Sequence, residues 1–156
     1  MKNSVILSRQ ETDKQFEYME RVREVVGGGK VFIQTFGCQQ NVSDSERLLG
    51  MAEKMGFKKT TIPEEADLIL VNTCAVREHA EHKALSITGG YKHCKEKKPS
   101  LIIGICGCMV SQEHRLEDIK KRYPYIDFLL GTTLMHRFPE ILYGVIADKE
   151  RRFWID

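Results

Sequence analysis

Apolar residues recur along this chain in two alternating patterns, short continuous runs and runs spaced three or four apart, which together predict buried strands separated by helices. Phe16, Met19, Val22 and Val26 share a helical face over 10–26, and Gly27-Gly28-Gly29 stops that helix. Val31-Phe32-Ile33-Gln34-Thr35-Phe36 reads as a strand. Ser43-Asp44-Ser45-Glu46 has the form of a capping box, followed by Leu48, Leu49, Ala52 and Met55 on one face and Gly56 at the C-cap. A short edge strand is expected over 57–61 and a buried strand over 68–72. Val76, Ala80, Ala84, Ile87 and Tyr91 mark the next helix, which Lys95-Glu96-Lys97-Lys98-Pro99 ends. A buried strand over 101–105, a helix over 112–122 stopped by Pro124, and a strand over 126–130 follow. Leu134, Phe138, Ile141 and Leu142 lie on a last helical face, and 151–155 is either a closing strand or the start of a linker.

Strand alternating with helix is the pattern of βαβ units, which build parallel sheets covered on both faces. The expected fold is α/β, a Rossmann-like or flavodoxin-like three-layer domain with a mostly parallel sheet of four or five strands flanked by helices. Residues 1–29 form a helical extension and glycine-rich hinge, 30–146 the domain proper, and 147–156 the start of a linker. The glycine triple precedes a strand rather than opening a helix, so it is read as a hinge and not as a phosphate loop.

Composition narrows the function. The chain has 156 residues, one domain's length, and a net charge of +2, too weak to imply a nucleic-acid partner by itself. No apolar run is long enough to span a membrane, and Val5 to Leu7 is too short for a signal peptide, so the expected location is the cytoplasm, with no membrane partner. Five cysteines then need an explanation other than disulfides, which a reducing cytosol disfavours.

Three of the five occupy equivalent places. Cys38 follows the first strand, Cys74 the second buried strand and Cys108 the third. In a parallel sheet all strand C-termini point one way, and ligands of open α/β sheets bind at that edge. Cys38, Cys74 and Cys108 are therefore expected to converge. Gly37, Thr73 and Gly107 precede them, and glycine lets backbone approach a bulky group. A single cysteine after a strand is commonly a buried apolar side chain; three in one loop position suit a soft metal, either zinc or iron–sulfur. Structural zinc usually uses C-x-x-C pairs, and none occurs here. A 4Fe-4S cubane normally takes four thiolates; held by three it keeps one open iron. Cys106 reads as a core thiol and Cys94, in a charged helix end, as an exposed thiol without a role. His79 and His82 read as a solvated helix face, and so do Lys95, Lys97 and Lys98, for which contact with RNA is the alternative. Two other readings stand beside this one: a flavodoxin-like nucleotide-binding domain, for which the single glycine of Phe36-Gly37-Cys38-Gln39-Gln40-Asn41 fits poorly, and a zinc-binding or thiol redox interaction module.

The motifs Thr35-Phe36-Gly37-Cys38-Gln39-Gln40-Asn41, Asp44-Ser45-Glu46, Ala66-Asp67, Asn72-Thr73-Cys74, Val76-Arg77-Glu78 and Gly107-Cys108-Met109 with Gln112, then Pro124, Asp127 and Gly131, resemble the N-terminal domain of the radical-SAM methylthiotransferases. The resemblance covers roughly residues 30 to 143. It implies that Cys38, Cys74 and Cys108 hold an auxiliary 4Fe-4S cluster. It further implies a second 4Fe-4S cluster and S-adenosylmethionine in a radical-SAM domain beyond the linker, a sulfur donor, and a tRNA substrate bound mainly through other domains. No C-x-x-x-C-x-x-C occurs in this chain, so it is expected to be a fragment that does not perform the reaction alone. Gln40 stands where the family often has methionine. Asn72-Thr73-Cys74-Ala75-Val76-Arg77-Glu78, with Ala80-Glu81 and Lys83, looks like the branch acting on N6-isopentenyladenosine beside the anticodon; the alternatives are the threonylcarbamoyladenosine and ribosomal-protein branches. Arg77 and Glu78 are read either as facing the cluster or as an ion pair supporting the loop. Asn41 and Asn72 are read as turn caps, with donation to a cluster sulfur as the alternative. Oligomeric state is not legible.

Overall fold

The computed structural model describes residues 8–37, 39–73, 86–107 and 113–154. Within them the chain forms α1 (Arg9–Val26), β1 (Gly29–Thr35), α2 (Gln39–Lys54), β2 (Phe57–Lys59), β3 (Leu68–Thr73), α3 (Lys92–Lys97), β4 (Ile102–Gly107), α4 (Glu113–Arg122), β5 (Phe128–Leu130), α5 (Phe138–Asp148) and β6 (Arg152–Trp154). The strands make one six-stranded sheet in the order β2-β1-β3-β4-β5-β6, and every neighbouring pair is parallel. The fold class is the expected one, with six strands rather than four or five. The two outermost strands are three residues each and partly basic (Phe57-Lys58-Lys59 and Arg152-Phe153-Trp154), so their apolar signal is weak.

Alternation along the strands divides the core into two layers. Leu68 and Leu70 of β3, Cys106 of β4, and Phe128 and Leu130 of β5 face a layer with Val22, Leu48, Ala52, Phe138, Ile141 and Leu142. Ile69 and Val71, Ile103 and Ile105, and Leu129 face the other, with Tyr91, Cys94, Ile119 and Ile126. Every residue of β3 is buried, which is why its sequence is continuously apolar until Asn72.

Local chemistry sets the helix ends. Ser8 Oγ accepts from the Glu11 amide at 3.0 Å, capping α1, and the Gly27 amide returns to the Arg23 carbonyl at 3.0 Å. The α1 helix lies against α5, where Gln15 Nε2 donates to Glu140 Oε1 at 3.0 Å. At the other end of the chain, the Arg151 guanidinium donates to the carbonyls of Lys120, Tyr123 and Ile126 at 2.8–3.0 Å, tying β6 to the end of α4.

Two expectations change. The α2 helix starts at Gln39, so Ser43 lies inside it and Ser43-Asp44-Ser45-Glu46 is not a capping box. Asp44 and Ser45 are turned inward and buried: Ser45 meets Thr35 and Asn72 at the strand ends, and Asp44 pairs with Gln40 and Arg47 of its own helix. Cys94 is not exposed: it is 5% accessible and belongs to the second core layer.

Candidate functional site

Strands β1, β3 and β4 are consecutive in the sheet, and their C-terminal ends are level. Thr35 pairs with Asn72, Asn72 with Cys106, and Thr73 with Gly107. Since β2 lies on one side of β1 and β3 on the other, the chain reverses its direction of travel across the sheet here, the place where open α/β sheets bind ligands. Cys38, Cys74 and Cys108 lie outside the described residues, as do Arg77, Glu78, His79 and His82.

The residues that immediately precede the three cysteines are described. Gly37 has φ +115° and Gly107 has φ +128°, conformations that side chains rarely adopt. A Cβ on Gly107 would fall 2.0 Å from the Thr73 carbonyl oxygen, so the ends of β3 and β4 approach too closely for any other residue. Thr73 is fully buried, and its Oγ1 has no hydrogen-bond partner among the described residues. Bare backbone at two strand ends and an orphaned hydroxyl at the third suit a bulky group with acceptor atoms, which is what a sulfide-rich cluster offers.

Behind these ends a buried polar network joins α2 to the sheet. Asn72 Nδ2 donates to the Asn41 carbonyl at 2.8 Å and to Ser45 Oγ at 3.0 Å. Ser45 Oγ is 2.7 Å from Thr35 Oγ1, and Asn41 Nδ2 donates to Asn72 Oδ1 at 3.4 Å. Asn41 and Asn72 are thus cross-element clamps rather than turn caps. Gln40 Nε2 donates to Asp44 Oδ1 at 3.1 Å, and the Arg47 guanidinium lies 3.6 Å from the same oxygen. Sequence reasoning missed Ser45 and Thr35 as members; polar residues facing an otherwise apolar layer were the available signal.

Cys106 is the core thiol expected. It is fully buried, and burial, with the Asp44 carboxylate as a second cause, pushes its pKa up to about 12. That thiol packs in the apolar layer with Phe128 and Leu130, as a core side chain does.

The motif acids serve the opposite edge, where the strands begin. Asp67 accepts from the Lys30 amide at 2.9 Å and from Lys98 Nζ at 3.1 Å. Asp127 accepts from the Ile103 amide at 2.9 Å and pairs with Lys95. Lys95 and Lys98 are therefore committed to aspartates and do not form the solvated face expected of them.

The sequence profile of the uncharacterized protein family UPF0004 matches residues 30–131. Three curated relatives are each named tRNA-2-methylthio-N(6)-dimethylallyladenosine synthase. That of Thermoanaerobacter sp. (strain X514) is 41% identical over 152 residues, 96% of this chain and 32% of that protein. That of Caldicellulosiruptor saccharolyticus is 50% identical over 118 residues, 76% and 25% respectively. That of Clostridioides difficile is 46% identical over 138 residues, 85% and 29%. The chain spans about a third of the length of the curated relatives it matches. Their names agree with the methylthiotransferase resemblance carried by the cysteine motifs.

Proposed function

The chain belongs to the uncharacterized protein family UPF0004, and from the names of its relatives and its cysteine motifs we propose that it is the auxiliary-cluster domain of an enzyme that adds a methylthio group to N6-isopentenyladenosine in tRNA. Cys38, Cys74 and Cys108 are the residues that would hold a 4Fe-4S cluster. Bound by three thiolates, such a cluster supplies a coordination position for the sulfur that is transferred. The observation that carries the reading is the level, adjacent placement of the β1, β3 and β4 C-termini, because each of the three cysteines follows one of those ends by at most three residues.

The chain's own residues have supporting tasks. Asn72 holds the start of α2 against the end of β3, which keeps the segment that follows Cys38 and the strand that precedes Cys74 in fixed relation. Gly37 and Gly107 supply the positive-φ turns that lead into Cys38 and Cys108, and Gly107 lets the ends of β3 and β4 approach each other. Thr73 Oγ1 is free to donate to a sulfide. The radical-SAM cluster, S-adenosylmethionine and most tRNA contacts are assigned to parts of a full-length relative beyond the span of this chain. No helix among the described residues is long and apolar enough to cross a membrane.

The test is anaerobic reconstitution with iron and sulfide. About four irons and four sulfides per chain are expected. Cys38→Ala, Cys74→Ala and Cys108→Ala should each lose the cluster, and Cys106→Ala should keep it. Equal iron in all four variants would end the assignment. Assaying the complete gene product for methylthiolation of isopentenylated tRNA tests the substrate.

A further inference from the structure

On the edge where the strands begin, opposite the cysteine motifs, three different side chains turn one donor atom each toward a common point. Glu64 stands in the 3-10 turn Pro63–Glu65 just before β3, and His93 and Cys94 stand on α3, just before β4. His93 Nε2 is 3.4 Å from Glu64 Oε2 and 3.5 Å from Cys94 Sγ, and all three donor atoms lie within 4.8 Å of one another. Zinc bonds of ~2.3 Å to sulfur and ~2.0 Å to nitrogen or oxygen place tetrahedral ligand atoms ~3.3–3.6 Å apart. Two edges of that tetrahedron are already at length. The third closes by a swing of the Glu64 side chain, which is 53% exposed.

Neutral His93 Nε2 can make only one of its two short contacts as a hydrogen bond at a time. A neutral imidazole nitrogen carries either one proton or one lone pair. If neutral His93 Nε2 donates to the carboxylate, it cannot also accept from the thiol; if it accepts from the thiol, the carboxylate is left to solvent. Burial and the nearby Glu64 raise the Cys94 pKa, so without a cation the sulfur keeps its proton. A divalent ion placed between the three atoms satisfies them together, and thiolate with imidazole is the donor set that favours zinc over magnesium or calcium.

We propose that Glu64, His93 and Cys94 form a zinc site with three protein ligands and the fourth position open to solvent. Binding forms the Zn–S, Zn–N and Zn–O bonds and sends the Cys94 thiol proton to water. The ion ties the turn before β3 to the helix before β4, next to the Lys98–Asp67 pair that joins the same two elements. The site is independent of the proposed cluster, because it lies at the other edge of the sheet.

The test uses the chain carrying Cys38→Ala, Cys74→Ala and Cys108→Ala, stripped of metal, so that the result does not depend on the cluster reading. Titration with Co²⁺ should give one ion per chain with thiolate-to-cobalt charge-transfer absorption, and Zn²⁺ should displace it. Cys94→Ser should abolish the charge-transfer band. His93→Ala and Glu64→Gln, both at exposed positions, should each weaken Zn²⁺ binding by at least about tenfold, since even outer-sphere partners of metal ligands matter that much. In the unaltered chain the His93 ring resonances should move when Zn²⁺ is added, which covers the case of a background that folds poorly. No uptake of Co²⁺ or Zn²⁺, a charge-transfer band that survives Cys94→Ser, or affinity unchanged in both His93→Ala and Glu64→Gln would overturn the site.

Discussion

Asn72 Nδ2 donates to the main-chain carbonyl of Asn41 at 2.8 Å, a bond between a strand end and the first turn of a helix that are 31 residues apart in sequence. Asn72 is wholly buried, and the same nitrogen reaches Ser45 Oγ. Asn72→Ala leaves both acceptors in the interior with a donor removed, so a loss of about 2–6 kcal/mol is expected at about 1–3 kcal/mol per group. Asn72→Asp keeps the shape but turns an acceptor toward the Asn41 carbonyl, and should be at least as harmful. Urea unfolding at constant m-value reads both. A midpoint unchanged by Asn72→Ala would show that the network contributes nothing.

Glycines in two settings should respond oppositely to alanine. Gly107→Ala forces a Cβ to within 2.0 Å of the Thr73 carbonyl at φ +128°, and should destabilise the chain by more than about 2 kcal/mol. Gly50 lies within α2 with nothing inside 4 Å of its would-be Cβ, and Gly50→Ala should stabilise by about 0.5–1 kcal/mol through helix propensity. Thermal melts of the two variants decide it. If Gly107→Ala melts like the parent, the strand ends are looser than described.

Acid should weaken the α1–α5 contact through Glu140. Burial pushes its pKa up, but hydrogen bonds from Arg137 and Gln15, aided by the charges of Arg137 and Lys14, outweigh that and leave it below the ordinary 4.5. A carboxyl depressed in the fold stabilises it above the unfolded pKa, and that contribution is lost as pH falls through the folded value. Stability should therefore decline as pH falls below about 4.5, and Glu140→Gln should flatten that decline. An identical pH profile for the variant would assign the slope to other groups.

Arg151 tests how firmly the last strand is held. Its three bonds to the carbonyls of Lys120, Tyr123 and Ile126 close the end of α4 with a charged donor. Arg151→Ala should lose about 1–3 kcal/mol. Arg151→Lys should recover little of it, because an ammonium cannot reproduce the planar fork. Hydrogen exchange at the α4 C-terminus should rise in both; full rescue by lysine would mean that charge alone matters.

Legibility followed the range of the forces involved. The central strands were readable because β3 and β4 are buried on both faces and so carry unbroken apolar runs. The edge strands were fainter: β2 was legible only as a short edge strand over 57–61 and β6 only as either a strand or a linker, since each is three residues long and Lys58 and Lys59 face solvent. Asp44 and Ser45 carried a local capping signature, but the partners that captured them, Gln40, Arg47, Thr35 and Asn72, include two on other elements. Lys95 and Lys98 read as solvated charge because their aspartates, Asp127 and Asp67, are about thirty residues away in sequence.

From the chain's order of residues alone came the alternation of helix and strand, the α/β class, and the placing of Cys38, Cys74 and Cys108 each just after a strand. Those properties rest on backbone sterics and side-chain periodicity, which act over a few residues. Which strands stand side by side, that their ends are level, that Asn72 meets Asn41, and that Cys94 is buried beside His93 and Glu64 were decided only by the folded sheet. Such contacts depend on burying two apolar layers at once, and no stretch of sequence carries that requirement by itself.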